Sequence, residues 1–482
     1  MKLKELLKSF SYGDVEDIEI DKITYNSEEV VQKTFFVCKG KTFKEEYLRS
    51  AIEKGAVCYM SEKSYPEIKA PCVKEFLVKD IRIAMAKLAE NFYGSPWNDI
   101  RVIGLTGTKG KSTTAHLMKS VLDEFVKNDT AIISSIKTYN GKEKFKSLLS
   151  TPEAFDLFRH IRTAADFKIP YVTTEVSSQA LKYHRTLGID FKIGIFLNIS
   201  EDHISPSEHG NFEDYFSSKL KIFEQTENAV VNLSSDFSER ILNEAEKCKN
   251  MVSFSSYGDV GADFTAYNFR KTETCTLFEV KAENEYSGEY ELGISGFFNI
   301  ENAMAVIAAA SIIKIPPNVV KAGLKKASIE GRAEIIKSKD EKTVAVIDYA
   351  HNKLSFEKLF SSMRDEYPDY KIKAVFGVPG GKAYNRRKEL GEIAGRYCKK
   401  VYLTEDDPNF ESVEKICAEI AEHISSDFEI IPDREEAIKK AFEEAEGKTL
   451  IVIAGKGEET SQKSRGKLVP YKSDLKIAKE LI

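Results

Sequence analysis

The chain has 482 residues, 42% hydrophobic and 30% charged, with 71 Lys and Arg against 76 Asp and Glu for a formal net charge of -5. That length exceeds one hydrophobic core and predicts two to four domains, while the acidic balance excludes a protein that works mainly by neutralising nucleic-acid phosphates. Seven cysteines with no CxxC pair fit free thiols in a reducing compartment, the opening MKLKELLKSF is too polar for a signal peptide, and no apolar run could span a bilayer, so a cytoplasmic protein without membrane insertion is expected.

Residues 1–98 alternate short strands such as Thr34–Cys38 with amphipathic helices at Tyr47–Lys54 and Asp80–Tyr93, until Gly94 and Pro96 break the pattern. From 99 to 330 strands near 101–106, 130–135, 171–175, 193–199 and 228–232 alternate with helices, which predicts a mostly parallel sheet covered on both faces. Ligands of such sheets sit at the carboxyl ends of strands. Those ends carry Gly107–Ser112, Glu175–Ser178 and Asn198–His203, so three polar clusters should meet on one edge. Beyond Gly296-Phe-Phe-Asn-Ile-Glu-Asn302 comes an alanine-rich helix, apolar all round and expected to be buried. Residues 331–482 repeat the alternation with strands at 343–347, 373–377, 400–404 and 449–454, and Asp433 with Glu436 forms a capping box for a helix expected to end at Gly447. The expected fold is therefore α/β with three domains: a mixed α/β domain (1–98), a central P-loop ATPase-like domain (99–330) and a Rossmann-like domain (331–482).

The stretch TGTKGKSTT is a phosphate-binding device. Gly107 and Gly110 let the backbone turn its amides to an anion, Lys111 adds a full charge, and the Ser112 hydroxyl suits Mg2+. Thr108, Lys109, Gly110, Lys111, Ser112 and Thr113 are its expected nucleotide contacts, and ATP is favoured over GTP because no NKxD motif occurs. The strict motif wants glycine where Leu105 stands, so the loop is a shortened variant. Other candidates are ambiguous by residue type. Glu175 is either a solvated strand-end carboxylate or a hard oxygen ligand; His203 and His209 are loop histidines or site residues. Lys219 reads as a surface helix lysine, Asp406-Asp407-Pro408 as a turn and Arg386-Arg387 as a basic face.

In combination they read differently. TGTKGKSTT, EVSSQAL with Arg185, NISEDHISPSEHG with Lys219, GFFNIENAMA, GRAE, DYAHNK and AGKGEE occur in order over almost the whole chain and closely resemble the Mur ligase family, in which a shortened phosphate loop is normal. The resemblance implies an ATP- and Mg2+-dependent, amide-forming enzyme of peptidoglycan precursor synthesis, and within the family the branch that adds the third amino acid to UDP-N-acetylmuramoyl-L-alanyl-D-glutamate. It implies that Lys111 binds the β- and γ-phosphates, that Ser112 and Glu175 hold one Mg2+, and that His203 holds a second together with Lys219 as a carbamate. Asn299 and Asn302 resemble adenine contacts, and Arg332, Asp348 and His351 further nucleotide contacts. Ser27, Ser150, Thr151, Ser177 and Arg185 resemble contacts to the UDP-sugar peptide, although Asn26-Ser27-Glu28 stands where Asp-Ser-Arg is common and Gln179 where many members have histidine. A monomer is implied.

Members that use meso-diaminopimelate read Asp-Asn-Pro-Arg where this chain has Asp406-Asp407-Pro408-Asn409. Losing the arginine removes a bidentate partner for a distal carboxylate, and gaining Asp407 adds negative charge. Both changes favour a side chain ending in an ammonium. L-Lysine is the expected diamino acid, with Arg387 on its α-carboxylate and Asp406, Asp407, Asn409, Gly455 and Glu459 around it. Ornithine or diaminopimelate in the same reaction, or a non-catalytic nucleotide-binding scaffold, are the alternatives.

Overall fold

The apolar strand Arg101–Thr106 is buried from Val102 onward, as a strand in a sheet covered on both faces must be. It lies between Phe191–Phe196 and Tyr171–Glu175, parallel to each. Thr226–Asn232 and Asn250–Ser255 continue the sheet in parallel on one side; Ala131–Ile133 does so on the other, followed by the short antiparallel strands Lys137–Tyr139 and Lys144–Lys146. The expectation that three polar loops share one edge therefore follows from neighbouring strands. These features come from a computed structural model that describes all residues except 14, 41–42, 69, 148, 203, 205–207, 257, 259–260, 273–274 and 330–333. The chain divides into two units, Met1–Phe254 with Ala308–Lys314 and Ser255–Ile307 with Ile315–Ile482.

The first unit also holds a four-stranded parallel sheet of Lys22–Thr24, Thr34–Val37, Ala56–Ser61 and Lys74–Leu77. Its helix Ile81–Tyr93 starts where Asp80 accepts from the Arg82 and Ile83 amides and stops at Gly94, whose φ of 72° suits glycine. Leu88 and Ala89 of that helix share one core with Phe35 and Met60 of the small sheet and with Phe158 and Ile161 of helix Ala154–Asp166.

In the second unit Thr343–Asp348, Thr449–Ala454, Lys371–Phe376, Lys400–Leu403 and Asp427–Ile430 lie side by side in that order, all parallel, with Glu334–Lys337 antiparallel at one edge. This order sets the loops after Asp348, Ala454 and Phe376 next to one another, the usual place for a ligand in an open α/β sheet. The β-α alternation expected through residue 330 breaks at Phe264–Lys271, Thr276–Ala282 and Gly288–Leu292, which run antiparallel. The segments joining them, 272–275 and 283–287, have no length for a crossover helix. Helix Phe298–Ile312 is buried on every side, with Ala303 to Ala310 fully covered. Asp433 caps helix Arg434–Glu443 by accepting from the Glu436 amide, and the helix stops before Gly447. Among the described residues no helix is long and apolar enough to cross a membrane.

Candidate active site

The loop 107–110 is held open by the neighbouring strand end. The Thr108 amide donates to Asn198 O (2.9 Å), the Lys109 amide to Asn198 Oδ1 (2.9 Å), and Asn198 Nδ2 returns a bond to Lys109 O (3.2 Å). Gly107 has φ of 153°, and a Cβ there would lie 2.9 Å from the Leu197 Cβ and 3.2 Å from the Asn198 amide, so no other residue lets the loop approach this closely. Gly110, left-handed at φ 85°, is the N-cap of helix Lys111–Val126. The backbone amides that open this helix offer positive charge to an anion.

Two lysines converge on one carbonyl. Lys111 Nζ and Lys219 Nζ each lie 2.7 Å from Gly107 O. Lys219 is not the surface lysine its residue type suggests; it is 1% exposed. Burial, and then the charge of Lys111, push its pKa well below the ordinary lysine value, with Asp202 opposing. A neutral amine of this kind is the form that adds CO2. Ser112 Oγ meets Ser135 Oγ at 2.7 Å, and Ser135 donates from both its amide (2.7 Å) and hydroxyl (3.0 Å) to Glu175 Oε1. Glu175 is buried, which removes its reading as a solvated strand end. Hydroxyl and carboxylate are hard oxygen donors, and Mg2+ keeps water and phosphate in its remaining positions, so this pair fits that ion. Among the described residues no group of three or more His, Cys, Asp or Glu is arranged to hold a metal. His203 lies outside them. His209 is fully buried, with Nε2 3.0 Å from Ser178 Oγ and Nδ1 3.3 Å from Asp214, which removes its reading as a histidine exposed to water.

A second cluster of the same unit gathers round Glu153. Arg185, Arg82 and Lys39 lie 2.9, 2.8 and 2.9 Å from its carboxylate. Burial raises the Glu153 pKa, but the three cations outweigh it and hold the group ionised. Arg185 also donates to Thr151 O (3.0 Å), and the Thr151 hydroxyl accepts from the Ser177 amide (3.0 Å), so Thr151, Ser177 and Arg185 are brought together as expected. Ser150 is the partly exposed neighbour of Thr151. Three cations on one carboxylate leave a positive surplus suited to an anionic substrate. Lys39, Arg82 and Ser135 were not legible as site residues, because none carries a motif. Ser27 is buried in a short turn capped by Asn26, where Glu28 pairs with Lys54 at 3.0 Å in place of the arginine common at that position.

In the second unit Asn299 and Asn302 are buried and joined, Asn302 Nδ2 donating to Asn299 Oδ1 at 3.0 Å. Asp348 Oδ1 accepts from the Ala350 amide (2.7 Å), and His351 Nδ1 lies 2.8 Å from Tyr349 O. Arg332 falls outside the described residues. Arg387 is 3% exposed and its fork is already engaged, bidentate to Glu411 at 3.0 and 2.7 Å and bonded to Glu419. Asn409 holds the antiparallel hairpin Ser461–Ser464 and Lys467–Pro470: its amide donates to Lys463 O (3.0 Å), its carbonyl accepts from Arg465 N (2.6 Å) and its Oδ1 from Gly466 N (2.9 Å). Asp406, Asp407 and Glu459 do meet, around Lys456 Nζ at 4.0, 3.1 and 2.8 Å. Burial pushes the Asp406 pKa up to about 6; Arg434 and Lys456 oppose the rise, and Asp407 and Glu459 add to it.

A glycine-broken loop opening a helix at the centre of a parallel sheet, a buried lysine beside that loop and an acidic cluster on a second open sheet are features suited to a phosphate and to a cationic group. Residues 105–310 match the Mur ligase middle domain and residues 331–457 the Mur ligase glutamate ligase domain. The chain is 36% identical to a UDP-N-acetylmuramyl-tripeptide synthetase of Lactobacillus acidophilus, covering 100% of this chain and 96% of the relative. It is 37% identical to a UDP-N-acetylmuramoyl-L-alanyl-D-glutamate–L-lysine ligase of Streptococcus pyogenes, covering 99% and 96%. A solved UDP-N-acetylmuramoyl-L-alanyl-D-glutamate–2,6-diaminopimelate ligase shares the fold, with a TM-score of 0.69 at 22% identity over 100% of this chain and 98% of that one. The chain belongs to the Mur ligase family of ATP-dependent amide-forming ligases.

Proposed function

We propose that this ligase joins L-lysine to UDP-N-acetylmuramoyl-L-alanyl-D-glutamate. The free D-glutamate carboxylate attacks the γ-phosphorus of ATP and ADP leaves; the uncharged amine of lysine then attacks the acyl carbon, and phosphate and a proton depart. The loop amides and Lys111 offset repulsion between the carboxylate and the phosphates. Mg2+, held by Ser112 and Glu175 and, as a second ion, by His203 and carbamylated Lys219, would draw charge from the phosphate oxygens. The reading assigns 1–98 to the UDP-sugar, 99–330 to ATP and 331–482 to the amino acid, with Asn299, Asn302, Arg332, Asp348 and His351 serving the nucleotide. A cytoplasmic monomer feeding peptidoglycan synthesis, and so cell shape and division, goes with it.

The observation that carries the amino-acid assignment is the cluster of Asp406, Asp407 and Glu459, which retains surplus negative charge after Lys456 is counted. The name of the relative at 37% identity, an L-lysine ligase, supports the same choice. Purified protein with the UDP-dipeptide, ATP and each of lysine, ornithine and meso-diaminopimelate is expected to give the lysine product by mass, with ADP release. Preferential diaminopimelate incorporation would overturn the assignment, and no amino-acid-dependent ADP release would favour the scaffold alternative.

The raised Asp406 pKa gives a pH test. The acid is protonated in the folded chain below about 6 and ionised above it. An ammonium-binding pocket then loses charge as pH falls, so the lysine KM is expected to rise about tenfold per unit below that value while the ATP KM holds. A flat lysine KM between pH 7.5 and 5 would remove Asp406 from the pocket. The stability contribution has the opposite sign: a carboxyl whose folded pKa is raised disfavours the folded state increasingly as pH climbs from the ordinary aspartate value through about 6.

A further inference from the structure

Lys456 belongs to none of the assignments above, yet it is the centre of the acidic cluster. It follows the strand Thr449–Ala454 in the turn Gly455-Lys456-Gly457, where the flanking glycines take φ of 113° and 55°. Gly455 has no room for a side chain, since a Cβ would stand 2.8 Å from Asp406 Oδ2. Lys456 has no exposed surface. Its ammonium lies 2.8 Å from Glu459 Oε2, 3.1 Å from Asp407 Oδ1 and 4.0 Å from Asp406 Oδ1, beside the Tyr471 ring. Two of the carboxylates are tied down elsewhere too: Tyr349 OH donates to Glu459 Oε1 at 2.8 Å, and the Lys463 amide to Asp407 Oδ1 at 3.0 Å. The other nearby cation, Arg434, is held by Asp474 through two bonds of 2.9 Å and by Ala454 O.

We propose that Lys456 is a positioning residue that fixes Asp407 and Glu459 as one anionic rim for the side-chain ammonium of the amino-acid substrate. This inference rests on the reading of the pocket as a diamino-acid site. Three carboxylates within a few ångströms cannot all stay ionised without a cation, because like charges drive proton uptake. With one buried ammonium among them the group remains anionic overall, which leaves attraction for a second ammonium. Fully buried in a turn whose two flanking glycines fix its backbone, Lys456 on this proposal remains in place when substrate enters, rather than acting as a plug that substrate displaces.

The test begins with the wild-type enzyme, where lysine incorporation must be present; its absence defeats the substrate reading and not the role of Lys456. In Lys456→Met the lysine KM is expected to rise about 30-fold or more, because one partner of a buried charge cluster is gone. KM values for ATP and the UDP-dipeptide should stay within about twofold, with Lys456→Arg recovering most of the loss. An unchanged lysine KM, or a lower one as a displaced plug would give, overturns the proposal. A second series serves even where the methionine variant does not fold: Asp407→Asn and Glu459→Gln, singly and together. Coupling through Lys456 predicts that the double variant raises the lysine KM little beyond the larger single effect, and independent multiplication of the two effects overturns it.

Discussion

Lys111→Ala is expected to lower kcat about 10³-fold at saturating ATP, because a full positive charge is withdrawn from the phosphates just where charge is redistributed in transfer. The side chain folds back over its own loop, with Nζ 2.7 Å from Gly107 O and 3.2 Å from Thr108 O, and it fills no core. Stability should therefore change by only about 0.5 kcal/mol, as for a surface substitution. A further consequence concerns Lys219, whose amine meets the same Gly107 carbonyl and whose pKa Lys111 helps to depress. Removing Lys111 leaves Lys219 more basic, hence less able to add CO2. Lys111→Ala and Lys219→Ala are accordingly expected to be strongly non-additive, the double variant being little worse than either single one. Steady-state rates with a thermal melt decide the matter; a kcat within tenfold of wild type would remove Lys111 from phosphoryl transfer.

The central sheet was legible because its signal is periodic and local. Apolar runs punctuated by glycine specify covered parallel strands, and their carboxyl ends then carry Gly107, Glu175 and Asn198 to one edge without further information. The antiparallel strands from Phe264 to Leu292 were not legible in that way, since an alternating strand and an exposed helix turn differ little over so short a stretch. Lys219 shows where residue type misleads: its place on helix Phe212–Leu220 gives an ordinary surface lysine, and only tertiary packing buries it against Gly107. The same holds for Glu153, whose partners Lys39, Arg82 and Arg185 come from distant parts of the chain and carry no shared spacing. In the acidic pocket the carboxylates could be read from the Asp406-Asp407 loop and AGKGEE, whereas the ammonium at their centre could not. A lysine between two glycines looks solvated until the loops after Leu403 and Ala454, whose strands flank Lys371–Phe376, meet over that strand's end.

Restoring the diaminopimelate pattern by Asp407→Asn with Asn409→Arg is expected to raise the lysine KM about 100-fold, from the loss of one carboxylate in a buried charge cluster, without producing a diaminopimelate enzyme. The two halves act differently. Asp407→Asn keeps an oxygen that can accept from the Lys463 amide, so the loop survives while its charge toward Lys456 and the substrate is lost. Asn409→Arg strikes the backbone. Asn409 sits at φ 56°, where asparagine is tolerated and arginine is disfavoured by about 1 kcal/mol. Arginine also has no acceptor with which to replace the Oδ1 bond from Gly466 N at 2.9 Å. Losing that bond should cost about a further 1 kcal/mol and loosen the hairpin, which the Asn409 backbone bonds to Lys463 O and from Arg465 N still hold. Asn409→Arg alone should thus lower the melting temperature and loosen binding of either amino acid, while Asp407→Asn alone should raise the lysine KM with the melt nearly unchanged. Competition between lysine and meso-diaminopimelate, read by product mass, separates these outcomes. Dominant diaminopimelate incorporation by the double variant would mean that two positions carry the choice; continued preference for lysine at much reduced efficiency would locate it in the loop together with the hairpin that clasps it, so that conversion requires the 461–470 segment to be rebuilt around the new arginine.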